Sequence, residues 1–254
     1  MTWPGDATFA VSITVDVDGW YGLPGGGRGS EARLTARSER MYGVTRGLPR
    51  ILAVLARSGV SGTFYVPGAV AADHPDAIAA IVDGNHEVGH HGHRHLRPDE
   101  VEEARQLEEL RSGLAALSAA SPSGYRAPGW ELTPSTLRAL GELGFSHDSS
   151  LMGDDRPYPA QAGGRKLWEL PVHWSLDDAP HFAGGGDPAV LAEIWHAELL
   201  LAEAERRHIT FTLHPEILGR PHRVAILERL IDDAQELGAW LAPHAAVVGQ
   251  LPPP

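Results

Sequence analysis

The chain contains no cysteine. Disulfides, thiolate nucleophiles and cysteine-bound zinc are therefore excluded, and any metal must be held by histidine and carboxylate side chains. Positive charge is also scarce: 21 Lys and Arg stand against 33 Asp and Glu, a formal charge of -12. A surface of that sign repels nucleic acid and anionic membrane alike, and no basic patch interrupts it, so neither is expected as a partner. The expected ligand is small, neutral or cationic. Long apolar runs are missing too. No stretch of about 18 consecutive apolar residues occurs, and the opening Met-Thr-Trp-Pro-Gly-Asp is not a basic segment leading into an apolar one, so a cytoplasmic protein is expected.

What remains is ordinary globular material. At 254 residues and 43% hydrophobic content the chain can bury a sizeable core, and residues 1–254 are expected to form a single α/β domain. Short apolar runs at Phe9 to Val15, Thr63 to Val66, Val88 to His91, Gly124 to Ala127, Leu167 to Val172 and Ile209 to Leu213 read as strands. Between them Leu48, Ile51, Leu52 and Leu55 recur with helical spacing, as do Leu107, Leu110, Leu114 and Leu117. Thr133-Pro134 reads as a helix start, with Leu137, Leu140 and Leu143 as its apolar stripe and Gly144 as its stop. Alternating strands and helices predict a parallel sheet or barrel. The segments 19–47, 152–164 and 177–187 lack clear periodicity and read as long loops.

Four places carry chemistry. Asp16 and Asp18 close the first strand, and alternate strand positions project to one side. Two close carboxylates repel unless a cation or a shared proton relieves them, which suits a metal ligand beside a general base. A plain turn before Gly19 is the bland alternative. Next, 86–95 reads His-Glu-Val-Gly-His-His-Gly-His-Arg-His, five of the 14 histidines in ten residues. His91 and His95 have a spacing that meets on one helical turn or across a tight loop, and neutral imidazoles suit divalent ions. His90 or His93 can compete at other spacings. Gly124-Tyr125-Arg126-Ala127-Pro128-Gly129-Trp130 places an arginine at a strand end, able to hold a carboxylate by its planar fork, with Trp130 as a candidate pocket wall. Finally, Leu213-His214-Pro215 ends a buried strand in a histidine suited to general-acid work, though a capping histidine is equally common. All four lie at the C-terminal ends of separate strands, where a barrel brings its loops together.

In this order and spacing the four segments resemble the successive motifs of the polysaccharide deacetylase family (carbohydrate esterase family four, the NodB homology domain), from about Phe9 to Gly249. The resemblance implies a distorted (β/α)7-type barrel. It maps Asp16 onto the catalytic base, Asp18, His91 and His95 onto a metal triad, Arg126 onto the arginine that orients the base, and His214 onto the general acid. Asp-Val-Asp in place of adjacent aspartates, Gly92 in place of Ser or Thr, and Gly129-Trp130 depart from the usual pattern. With 167–180 and 213–223 they are similar to a branch that includes allantoinases, cyclic imide hydrolases and an unsecreted peptidoglycan deacetylase.

The resemblance implies hydrolysis of a non-peptide C–N amide bond in a small-molecule or glycan substrate, first as removal of N-acetyl groups from amino sugars. Opening of a cyclic imide or ureide ring is the alternative. It implies a divalent ion, zinc before cobalt, nickel or manganese. Trp20, Tyr21, Trp130 and Trp174 are candidate pocket walls, each as easily ordinary packing, and Asp177 or Asp178 can bind a ligand nitrogen. A homo-oligomer, dimer or tetramer, fits the acidic surface. A catalytically silent binding module is a third reading, against which Asp16, Arg126 and His214 are all present.

Overall fold

The strand Ala10–Asp16 (β1) is buried along its whole length, as a strand covered on both faces must be. Its alternate residues diverge. Val11, Ile13 and Val15 enter the main apolar core, while Ser12, Thr14 and Asp16 turn to the other face, where each finds polar partners. The computed structural model describes residues 2–254 and sets β1 within a nine-stranded sheet. The other strands are β2 (Thr63–Val66), β3 (Glu87–His90), β4 (Gly124–Tyr125), β5 (His147–Asp148), β6 (Tyr158–Ala162), β7 (Arg165–Glu169), β8 (His208–Leu213) and β9 (Trp240–Leu241). Their order is β6-β7-β5-β4-β3-β2-β1-β8, with β9 also against β1, and all pairs are parallel except β6 with β7. The sheet curls into a half-barrel, the distorted (β/α) barrel expected from the sequence.

Among the described residues ten α-helices accompany the strands: α1 (Leu34–Tyr42), α2 (Leu48–Ser58), α3 (Gly68–Asp73), α4 (Pro75–Asp83), α5 (Glu103–Ala116), α6 (Pro134–Leu143), α7 (Asp178–Ala183), α8 (Pro188–Glu205), α9 (Val224–Glu236) and α10 (His244–Val248). The outer face of the sheet packs on three of them, through Leu48, Ile51 and Leu55 of α2, Leu191, Trp195 and Leu199 of α8, and Leu227, Leu230 and Ile231 of α9. Each such side chain contributes about 1.5–3 kcal/mol by leaving water. Helix α6 is terminated as its sequence predicts. Thr133 Oγ1 accepts from Thr136 N at 3.1 Å, and Gly144 takes the left-handed conformation at the other end.

Three expected loops hold regular structure. Residues 152–164 contain β6, an edge strand that tolerates Pro159 because its outer side needs no ladder. Residues 19–47 contain α1, in which no residue is fully buried, so no apolar stripe marks it. Residues 177–187 contain the short α7. Among the described residues no helix is long and apolar enough to cross a membrane.

The register fixes the site. Asp16 lies beside Tyr65 of β2, His90 beside Tyr125 of β4, and Val15 beside Leu213 of β8. Asp16, His91, Arg126 and His214 therefore emerge together at the C-terminal edge, as parallel strands require.

Candidate active site

At the end of β1 the backbone leaves the sheet. Val17 N still donates to Tyr65 O at 2.9 Å, but Asp18 is helical and opens a 3-10 turn, Gly19–Gly22. A turn, rather than strand alternation, thus brings the second carboxylate to the site.

His91 follows β3 and is fixed by its own ring. Its Nδ1 donates to Arg126 O at 2.7 Å, which directs Nε2 at Asp18 Oδ1, 3.5 Å away. His95 approaches the same oxygen, with Nε2 at 3.4 Å. It does so from a left-handed backbone, φ 54°, a conformation that costs a non-glycine residue about 1 kcal/mol and tends to be kept where a side chain must be aimed. Burial takes the His95 imidazole down to about 4 against the pull of Asp18, so it is neutral near pH 7. Burial also opposes the Asp18 charge, yet His95, His91 and His214 hold that carboxyl well below its ordinary range.

A divalent ion fits this donor set. Asp18 Oδ1 is buried and has no hydrogen-bond partner, and it faces Nε2 of His91, whose Nδ1 is already spent on a backbone carbonyl, and Nε2 of His95, whose imidazole is neutral. One ligand atom from each of Asp18, His91 and His95 falls within 4.8 Å of the others. His91 has the backbone carbonyl partner that metal-bound imidazoles commonly have. A second cluster, Asp177, Asp178 and His214, is equally close, but its atoms already satisfy one another.

Asp16 sits beside this triad, its Oδ2 3.9 Å from His91 Nε2. Arg126, wholly buried, holds it: Nη1 donates to Asp16 Oδ1 at 2.7 Å and to Thr14 Oγ1 at 2.9 Å. The other edge of the guanidinium donates to Ser149 O and Ser149 Oγ, and Tyr65 lies under its plane at 4.2 Å. Opposite, His214 Nδ1 donates to Asp178 Oδ1 at 2.8 Å, with Asp177 Oδ1 at 3.4 Å. Burial opposes a charge on His214, but the two carboxylates outweigh it and hold the imidazole well above its ordinary range. That direction favours the protonated imidazole, in which Nε2 as well as Nδ1 carries a proton.

These groups line one cavity of about 320 Å³, which includes Asp16, Asp18, His91, His95 and His214. Trp130 and Trp174 form one wall, stacked with centroids 4.5 Å apart, and Trp174 is half exposed at the rim. Beside it lies a second hollow of about 370 Å³, bounded by 22–26 and 95–101 and sharing Gly22, His95 and Gly129 with the first.

Not every expected residue arrives there. Trp20 and Tyr21 are carried away by the 3-10 turn and stack on each other at 4.3 Å, and Tyr21 Oη donates to Asp73. Asp178 is fully buried behind His214, where its oxygens also accept from His214 N, so it meets the histidine and not a ligand. Of the other clustered histidines, His86 accepts from Gly62 N, His90 is spent on Leu110 O and Gly92 N, and His93 packs near Gly68. Arg40, which lines the pocket, and Glu216, which it contacts, escaped sequence reading. Arg40 is one arginine among several in a segment without periodicity. Glu216, just after His214-Pro215, had a signal in its position next to a motif.

Comparison with known proteins agrees with the fold. The family profile for polysaccharide deacetylase matches residues 40–147. A Mycobacterium smegmatis structure described as a polysaccharide deacetylase superposes with a TM-score of 0.89 at 36% identity, over 98% of this chain and 92% of that one. The peptidoglycan deacetylase of Helicobacter pylori is 27% identical over 87% of this chain and 88% of its own length. PuuE allantoinase shares the fold, with a TM-score of 0.86 at 24% identity, over 97% of this chain and 91% of that one. Fold and site together define a barrel hydrolase of non-peptide C–N amide bonds. The chain belongs to the polysaccharide deacetylase family.

Proposed function

We propose that the protein is a metal-dependent deacetylase that removes N-acetyl groups from amino sugars of a glycan. The observation that carries the chemistry is the placing of Asp16 and His214 around the Asp18–His91–His95 triad, within one cavity. The observation that favours a glycan is the second hollow, which shares Gly22, His95 and Gly129 with that cavity, since a small heterocycle needs only a closed pocket.

Asp18, His91 and His95 would hold the ion. When bound, it supplies Lewis-acid chemistry, acidifying water and polarising the amide carbonyl. The protein's own residues do the rest. Asp16, held by Arg126, takes a proton from the attacking water as oxygen adds to the carbonyl carbon. His214 Nε2 gives its proton to the departing nitrogen as the C–N bond breaks, so acetate and a free amine leave. Trp130 and Trp174 offer a flat apolar wall to a sugar face.

A product assay tests the reading. Purified protein, with and without chelator, is offered N-acetylglucosamine oligomers, succinimide, hydantoin and allantoin. Acetate release that stops with chelator and returns with Zn²⁺ is expected. Ring opening without acetate release would transfer the site to the cyclic amides, and silence on all four would leave a binding module.

The His214 pair sets a pH dependence. Because Asp177 and Asp178 raise the imidazole, the loaded acid persists through neutral pH and is lost only as pH climbs through that raised value. Asp178→Asn removes one of the two charges, so the acid discharges sooner. The alkaline limb of kcat/KM against pH is expected to move down by roughly one unit. An unmoved limb would mean that His214 is not the group titrating there.

A further inference from the structure

We propose that Arg40 and Glu216 set the affinity of the Asp18–His91–His95 triad for its ion: Arg40 is a positioning residue that competes for Asp18, and Glu216 is the counter-charge that restrains it. The inference rests on the reading of that triad as a metal site.

The two oxygens of Asp18 are divided between different neighbours. Oδ1 faces His91 and His95, whereas Oδ2 lies 3.6 Å from Arg40 Nη1. The same Nη1 donates to Glu216 Oε1, and both carboxylates are almost wholly buried. Arg40 comes from the last turn of α1, a helix without a buried residue whose chain then swings through a π-helical turn, Gly43–Gly47, into α2. Such turns often occur at functional sites. The backbone around the triplet admits no side chain. A Cβ on Gly22 would lie 2.8 Å from Arg40 Nη1 and 2.9 Å from Asp18 Oδ2, and one on Gly43 would lie 2.8 Å from Glu216 Oε2.

This contact matters because Asp18 and Glu216 are buried, where charges act on one another strongly. A guanidinium next to a metal-binding carboxylate disfavours a divalent cation. Glu216 draws that guanidinium to itself and returns negative charge to the site. Arg40→Gln removes the cation and keeps a polar side chain on α1. Glu216→Gln removes an anion while its carbonyl still accepts from Arg40.

Calorimetric titration of Zn²⁺ into chelator-treated protein tests this. Arg40→Gln is expected to tighten binding roughly tenfold or more, Glu216→Gln to weaken it by a similar factor, and the double variant to return within a few-fold of wild type. Opposite signs are the signature of a charge effect. Two variants that weaken binding alike, or that bind as wild type does, overturn the proposal. If Arg40→Gln does not fold, Glu216→Gln decides by itself, with unchanged affinity as the overturning result. Asp18→Asn is the control: should it bind Zn²⁺ like wild type, the triad itself is not the metal site, a failure distinct from the other.

Discussion

Asp16→Asn is expected to lower kcat by about a thousandfold, the middle of the range for loss of a positioned general base. The substitution is nearly isosteric, and the fold should tolerate it. The Asn carbonyl still accepts from Arg126 Nη1, and the guanidinium keeps Thr14 Oγ1, Ser149 O, Ser149 Oγ and the Tyr65 ring. Binding of Zn²⁺ should survive, because Asp16 lies beside the triad and is not the carboxylate facing both histidines. The combination separates the two aspartates. Asp16→Asn loses turnover and keeps metal, whereas Asp18→Asn loses both. Steady-state kinetics with metal analysis checks it, and a variant that keeps kcat within tenfold of wild type would remove Asp16 from the base role.

Arg126→Met is expected to cost about 3–5 kcal/mol of folding stability, the range found when one partner is taken from a buried ion pair. The asymmetry with Asp16→Asn follows from what each change leaves behind. Without Arg126, Asp16 stays buried with its closest cation gone, and Thr14 and Ser149 lose donors as well. Arg126→Lys should fall between the two, because an ammonium keeps the charge but cannot span Asp16 on one edge and Ser149 on the other. Urea unfolding at fixed pH measures the series. A loss under 1 kcal/mol for Arg126→Met would mean that the buried pair is not a stabilising feature of the native state.

The histidine run shows how far the sequence reached. Five histidines in ten residues announced a site and left the ligands open, because spacing alone cannot tell His90 from His91. The tertiary structure separates them by strand polarity. His90 turns outward to the carbonyl of Leu110 on α5, and His91 turns inward toward Asp18. Asp178 is a similar case. As a carboxylate it is able to bind a ligand nitrogen, but the bridge between Asp177 and Thr212 sets it directly behind His214. Trp20 and Trp130 were indistinguishable as aromatics near motifs, and only the turn at Asp18 moved one of them out of the cavity.

The sequence by itself determined what is written in local periodicity and residue chemistry: the alternation of strands and helices, the capped α6, the absence of thiol chemistry, and the placing of Asp16, His91, Arg126 and His214 at strand ends. Those follow from side-chain spacing and donor type, which no distant contact alters. Only the tertiary structure decided that Arg40, on a helix with no apolar stripe, reaches Asp18, and that Asp178 supports an imidazole. It also decided that an edge strand carrying Pro159 closes the sheet's margin. Each of these depends on contacts between segments far apart in the chain, where burial and charge are set by neighbours that sequence order does not reveal.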